Sequence, residues 1–370
     1  LDRDRKEAHA MPSVTPANGP VAVTGASGYI GSHVVIALMK RGYHVRACVT
    51  DQSNPEKTDH LLKLNNGIYP GRLELVTANL LVEGSYDEAF AGCSAVMHVG
   101  TAMGYGAANN PRQVYDGAVN GTRNILNSVK KSGTVKRVVY TSSFAAIAHP
   151  APPGYVFTEK DWASDNRGND PKWIPESIDK SGGIAYAMAK VETERMANRI
   201  AAEDGRFDVV SVCPLIGLGP LLTRAHELVW SWQWYLGGML AGKPCGRGWR
   251  GLWNIVDVRD VGEAQALIIE SERCRNGARY QLTATDPSGE LNVVELQAHL
   301  ARLFPHIAVG GPSKEYDELI RKYGKPFDSP RAYSDLARDE LGLQTHAVDD
   351  TLFETGRTMI ELGLVKPALK

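Results

Sequence analysis

Tyr186-Ala-Met-Ala-Lys190 is the one place in these 370 residues where a lysine follows a tyrosine by four positions. On a helix that spacing stacks the phenol and the ammonium on one face. A free phenol titrates near ~10 and exchanges protons poorly at neutral pH. A fixed cation beside it favours the phenolate and draws that value toward the working range, as general acid–base catalysis requires. A second cluster, Thr24-Gly25-Ala26-Ser27-Gly28-Tyr29-Ile30-Gly31, is built for a phosphate. Gly25 permits a tight turn, Gly28 lets a pyrophosphate approach the backbone, and Gly31 allows close helix packing. The N-terminus of the helix that follows offers unpaired N–H groups to the phosphates. A dinucleotide and a proton donor are the two halves of a redox site.

The elements that position them are legible in the pattern. Val21–Thr24 reads as a strand, Tyr29 to Lys40 as a helix and His44 to Val49 as the next strand. Further strands are predicted at Leu73–Thr77, Ala95–Val99, Arg137–Ser142 and Phe207–Cys213, with a helix at Val114–Lys131. Apolar strands separated by helices imply α/β architecture, a Rossmann-type doubly wound parallel sheet covered on both faces. Residues 149–183, rich in Pro, Gly, Asp and Trp, break the rhythm before the tyrosine helix and read as a functional loop. After Pro214 the pattern is more mixed, with an aromatic helix at Trp230–Leu240. The expected organisation is a flexible leader over residues 1–20, a dinucleotide-binding domain over 21–213, and a smaller mixed α/β substrate lobe over 214–370, interleaved with the first.

Composition excludes several classes. A net charge of -1 gives no electrostatic footprint for nucleic acid or an anionic membrane. No apolar run approaches the ~20 residues of a membrane span, and the polar leader has no signal-peptide core. The five cysteines are scattered, with neither zinc spacing nor a disulfide framework, which predicts reduced thiols in a cytoplasmic protein and no metal. Gly-x-Ser-x-Gly is absent.

The Gly-x-x-Gly-x-x-Gly spacing, with Ser143 at the end of the fifth strand and the Tyr186/Lys190 pair, resembles the extended short-chain dehydrogenase/reductase superfamily. Val21–Asp51, Gly84–Thr101, Arg137–Ser143, Pro214–Pro220 and Ile255–Val261 are similar to its dihydroflavonol reductase and cinnamoyl-CoA reductase branch, which includes microbial aldehyde and ketone reductases. The resemblance implies that Tyr186 protonates a carbonyl oxygen while hydride reaches its carbon. Lys190 would stabilise the phenolate and hold the nicotinamide ribose. A serine would donate to the carbonyl oxygen; Ser142 and Ser143 compete for this role, and Ser143 aligns better.

The same resemblance places the cofactor along Gly25, Ser27, Gly28, Tyr29, Ile30 and Gly31. It continues to Asn79 and Leu80 beside adenine, to Val99, Gly100 and Thr101 after the fourth strand, and to Ser142. Pro214, Ile216 and Gly217 would flank the nicotinamide. Asn120 matches a helix-four asparagine that supports the lysine, and Asp257–Asp260 matches a structural motif. Thr50 stands where the branch has an arginine for the 2′-phosphate, Lys57 coincides with a second phosphate-binding lysine, and Arg46 is displaced; NADP(H) is slightly favoured over NAD(H). On the substrate side Met103, Phe144, Trp230 and Trp234, with Ser143 and Tyr186, are expected to wall a pocket for a bulky or aromatic carbonyl, with core packing the alternative for the tryptophans. The expected function is a carbonyl reductase or alcohol dehydrogenase, monomeric or homodimeric, acting on a small molecule. A sugar-nucleotide epimerase or dehydratase and a non-catalytic dinucleotide sensor compete on the same scaffold. The first is opposed by the lack of acids after Thr141, the second by retention of the Tyr/Lys pair.

Overall fold

The computed structural model describes residues 13–101, 110–152, 154–164, 175–229, 231–248, 251–284, 290–324 and 331–370. Its first half runs β1 (Val21–Thr24), α1 (Tyr29–Lys40), β2 (His44–Val49), α2 (Pro55–Leu62), β3 (Arg72–Thr77), α3 (Asp87–Phe90), β4 (Ala95–His98), α4 (Pro111–Ser132) and β5 (Arg137–Thr141). The middle continues through β6 (Val156–Phe157), α5 (Gly182–Asp204), β7 (Asp208–Pro214), β8 (Ile216–Leu218), α6 (Trp232–Leu240), β9 (Leu252–Asp257), α7 (Val258–Glu270) and β10 (Arg279–Leu282). The last part holds β11 (Glu290–Asn292), α8 (Val293–Leu303), α9 (Lys314–Tyr323), β12 (Arg331–Ala332), α10 (Asp335–Leu341) and α11 (Val348–Glu361).

Seven parallel strands form the main sheet in the order β10-β7-β5-β4-β1-β2-β3. β1, β4, β5 and β7 are buried at every position, which is why they read as unbroken apolar runs. One face is covered by α1 and α7 around Val34, Leu38, Val261 and Ile268. The other packs on α4 and α5 through Ile125, Leu126, Ala197 and Ala201. This is a doubly wound Rossmann-type α/β sheet. A third core, around Leu236, Trp253, Leu296 and Leu352, belongs to α6, α8, α11 and a small sheet ordered β11-β9-β8.

Strand order reverses between β1 and β4, so the loops leaving their C-terminal ends diverge and open a crevice there. The turn after β1 and residues Val99–Thr101 therefore face each other. Far from that crevice, Arg137 and Asp208 start neighbouring strands in register and form a buried ion pair at 2.8 Å. The remaining N–H groups of Arg137 go to the carbonyls of Ile268, Ser271 and Cys274, so the guanidinium is fully held.

One feature departs from the sequence reading. The leader is docked from residue 13 onward: Val14 is buried, its N–H donates to Ile269 O at 2.7 Å, and Tyr43 Oη donates to its carbonyl. A single apolar residue in a polar stretch carries too little pattern to predict that contact. The main sheet also takes β10, a four-residue strand from beyond residue 213. No described helix is long and apolar enough to cross a membrane.

Candidate active site

The glycine turn is shaped by close backbone approach. Gly25 has φ 63°, and a Cβ there would lie 2.6 Å from Gly100 Cα, so the turn after β1 rests directly on the end of β4. A Cβ on Gly31 would fall 2.1 Å from Gly25 O, which only glycine avoids. Gly28 caps α1 without a side chain, leaving the first-turn N–H groups to an external acceptor. Ile30 packs into the core beneath, and Ser27 is half-buried beside it. The Tyr29 side chain is engaged elsewhere: its hydroxyl donates to Gly219 O at 2.9 Å and ties the turn to the lobe. Residues present thus fit a dinucleotide phosphate through backbone and small side chains.

The loop after β3, where adenine is expected, is folded onto its neighbours. Leu80 lies against the backbones of Gly100 and Gly121, and the Asn79 carboxamide accepts from Leu81 N, folding the loop after β3. Lys57 Nζ donates to Thr50 Oγ1 at 3.1 Å, and both are accessible. Asp51 is turned away, its carboxylate accepting from Ser53 N and Oγ. Arg46 is displaced as its position predicts, paired with Glu74 and with the Ala89 and Ala91 carbonyls.

Helix α5 carries Tyr186 half-buried and Lys190 buried one turn on. Lys190 Nζ lies 5.7 Å from the Tyr186 ring centroid and 5.2 Å from that of Tyr140. It donates to Thr141 O at 2.8 Å and to Thr101 Oγ1 at 3.3 Å, so it bridges the ends of β5 and β4. Burial lowers its pKa from 10.5 to about 8, opposed by the charge of Glu194. His98, between Thr24 Oγ1 (3.1 Å) and Thr122 Oγ1 (3.2 Å), is held neutral: burial, then Lys190, lowers it to about 3.

The two serines are separated by their partners. Ser142 is buried, and its hydroxyl donates to Glu194 Oε2 at 2.6 Å. Ser143 is half-buried and accepts from Ala145 N at 3.2 Å, which leaves its own proton available. Pro214 ends β7, and Ile216 and Gly217 begin β8; Gln233 Nε2 donates to Gly217 O at 3.1 Å and anchors the first turn of α6 to that segment.

The substrate side is assembled only in part. Phe144 is buried edge-on against Phe157 at 5.5 Å, supporting the wall from inside instead of forming its surface. Trp234 is half-exposed and edge-on to Tyr235. Trp232 faces inward onto Trp253, covered by the Arg247 guanidinium. Met103 and Trp230 lie outside the described residues. Asn120 is exposed and accepts from Arg123, away from Lys190. Asp257 caps α7 and pairs with Arg259, a structural role.

The profile of the NAD dependent epimerase/dehydratase family matches residues 21–282, from β1 through β10. The chain belongs to this family, in the extended short-chain dehydrogenase/reductase superfamily. Among related members, cinnamoyl-CoA reductase CAD2 of Medicago truncatula is 31% identical over 348 residues, 92% of this chain and 95% of the relative. Tetraketide alpha-pyrone reductase 1 of Arabidopsis thaliana is 28% identical over 358 residues, 95% of this chain and 99% of that protein. Gre2 of Candida albicans, solved with NADPH, superposes with a TM-score of 0.75 at 22% identity, covering 93% of this chain and 99% of its own. In this member of the family, sequence reasoning passed over Thr122, Tyr140, Gln233, Glu194 and Arg279. Only Glu194 left a signal, standing at i+4 from Lys190 and i+8 from Tyr186 on one helical face.

Proposed function

We propose that this protein is an NADPH-dependent reductase that interconverts an aldehyde or ketone and an alcohol, with Tyr186 as the general acid in reduction and the base in reverse. The observation that carries the reading is the buried Lys190, bridging the ends of β4 and β5 beside Tyr186 and one residue from the serine turn. Relatives alike over nine-tenths of the chain bear reductase names, which supports the same chemistry here. The dinucleotide, when bound, supplies hydride to the carbonyl carbon.

Each side chain then has a task. Gly25, Gly28 and the first turn of α1 hold the pyrophosphate. Thr50 and Lys57 hold the 2′-phosphate, while the Asp51 carboxylate is engaged by Ser53. Ser143 donates to the carbonyl oxygen, a contact that strengthens as charge develops. Tyr186 delivers the proton to that oxygen, and the adjacent ammonium lowers the cost of the phenolate left behind. Trp234, next to the residue that anchors α6 at Gly217, supports a bulky or aromatic carbonyl as substrate.

The test is Tyr186→Phe, assayed with aromatic and aliphatic aldehydes and ketones, each with NADPH and NADH. NADPH binding is expected to survive while turnover falls by ~10²–10⁴-fold. Undiminished turnover in that variant, or no reduction of any carbonyl by the native protein, would overturn the reading.

A further inference from the structure

We propose that Glu194 is a positioning residue for this reaction, a buried carboxylate that fixes the serine turn and keeps Lys190 charged; this rests on the reading of Tyr186 and Lys190 above. Glu194 continues their stripe on α5, one turn beyond Lys190, and is fully buried. Its Oε2 accepts from Ser142 Oγ at 2.6 Å, and its Oε1 accepts from Arg279 Nε at 2.6 Å. Arg279 Nη2 also reaches Glu194 Oε2 at 3.4 Å, Nη1 donates to Glu159 O (2.9 Å) and Asp161 O (2.7 Å), and the guanidinium lies 3.8 Å from the Trp162 ring centroid. One carboxylate therefore joins the catalytic helix, the turn after β5, strand β10 and the loop at residues 158–162.

Two consequences follow for the chemistry. The Ser142 proton is committed to Glu194, so the hydroxyl free to meet a carbonyl is that of Ser143. The second consequence concerns Lys190, which is surrounded by groups from four elements. From β5 come Tyr140 and Thr141 O, from the end of β4 His98 and Thr101, from β7 Cys213, and from its own helix Tyr186 and Glu194. Burial pushes Tyr140 and Cys213 up, so both stay protonated, and His98 stays neutral. Apart from Tyr186 itself, Glu194 is the group in this set that supplies negative charge. Arg279 pairs directly with Glu194 and offsets part of that charge at the lysine.

The test is the pH dependence of kcat/KM for carbonyl reduction in Glu194→Gln, Glu194→Gln/Arg279→Gln and Ser142→Ala. The glutamine keeps an acceptor for Ser142 but removes the charge, so Lys190 loses its proton at lower pH. The alkaline limb is expected to move down by on the order of 1 pH unit. Because Glu194→Gln alone strands a buried guanidinium, the double variant removes both charges and is expected to move the limb in the same direction by a smaller amount. Ser142→Ala keeps every charge; its limb should stay in place while kcat falls roughly 10-fold or more and NADPH affinity is retained. A double variant that is folded and binds NADPH, yet keeps the native limb, would overturn the inference. Turnover surviving in Tyr186→Phe would instead overturn the site reading beneath it, so the two failures are distinct.

Discussion

Replacing Lys190 with methionine should stabilise the fold at neutral pH while abolishing turnover. The side chain is 3% exposed, and burial lowers its pKa from 10.5 to about 8. The folded protein thus releases this proton near pH 8, whereas the unfolded chain keeps it until about 10.5. Between those values the unfolded state binds more protons, so stability rises with pH, and below about 8 the full penalty of the buried charge is present. At about 1.36 kcal/mol per pH unit, that penalty is about 3 kcal/mol. Methionine has a similar length and no charge. It forfeits the hydrogen bonds to Thr141 O and Thr101 Oγ1, a loss of about 1 kcal/mol each. The variant should therefore be more stable than the native protein by about 1 kcal/mol at neutral pH and less stable by about 2 kcal/mol above pH 10.5, combining these terms. Urea unfolding of both proteins at the two pH values measures this. A methionine variant that is less stable at neutral pH, or a difference that does not change sign with pH, would refute the reasoning.

Other substitutions separate the parts of the site. Gly31→Ala places a methyl 2.1 Å from Gly25 O; NADPH affinity measured by fluorescence titration should fall at least about tenfold, and stability by roughly 1–3 kcal/mol. Lys57→Ala should weaken NADPH by about tenfold or more, the value of a charged hydrogen bond of roughly 1.5–3 kcal/mol, and leave NADH unchanged. Equal losses for the two cofactors would remove Lys57 from the phosphate site. Arg137→Met strands Asp208 in the sheet and should cost about 3–5 kcal/mol in unfolding experiments without altering kcat of the folded enzyme.

What the sequence disclosed follows from periodicity. β1, α1 and β2 fall where the pattern puts them, because long apolar runs and a glycine turn leave no competing arrangement. Helix α4 extends beyond its predicted start because Asn110 caps it and Pro111 suits the first turn. Glycine roles at 25 and 31 were readable because backbone approach tolerates no alternative. Partners set by tertiary contact were not: nothing local says that Ser142 meets Glu194, or that Tyr29 reaches Gly219. Alternate tryptophans in α6 likewise could not be sorted into core and surface until Trp253 supplied the face that Trp232 packs against.

β10 gives the molecule a constraint on its order of assembly. This strand closes the main sheet beside β7, yet it lies after the first elements of the lobe. A chain cut before Arg279 would leave β7 with a bare apolar edge, a template for association with other chains. The same cut would leave Glu194 buried without its counter-charge. During synthesis the nucleotide half cannot finish first and wait for the lobe. Sheet closure and the settling of charge on α5 arrive together, with one late strand.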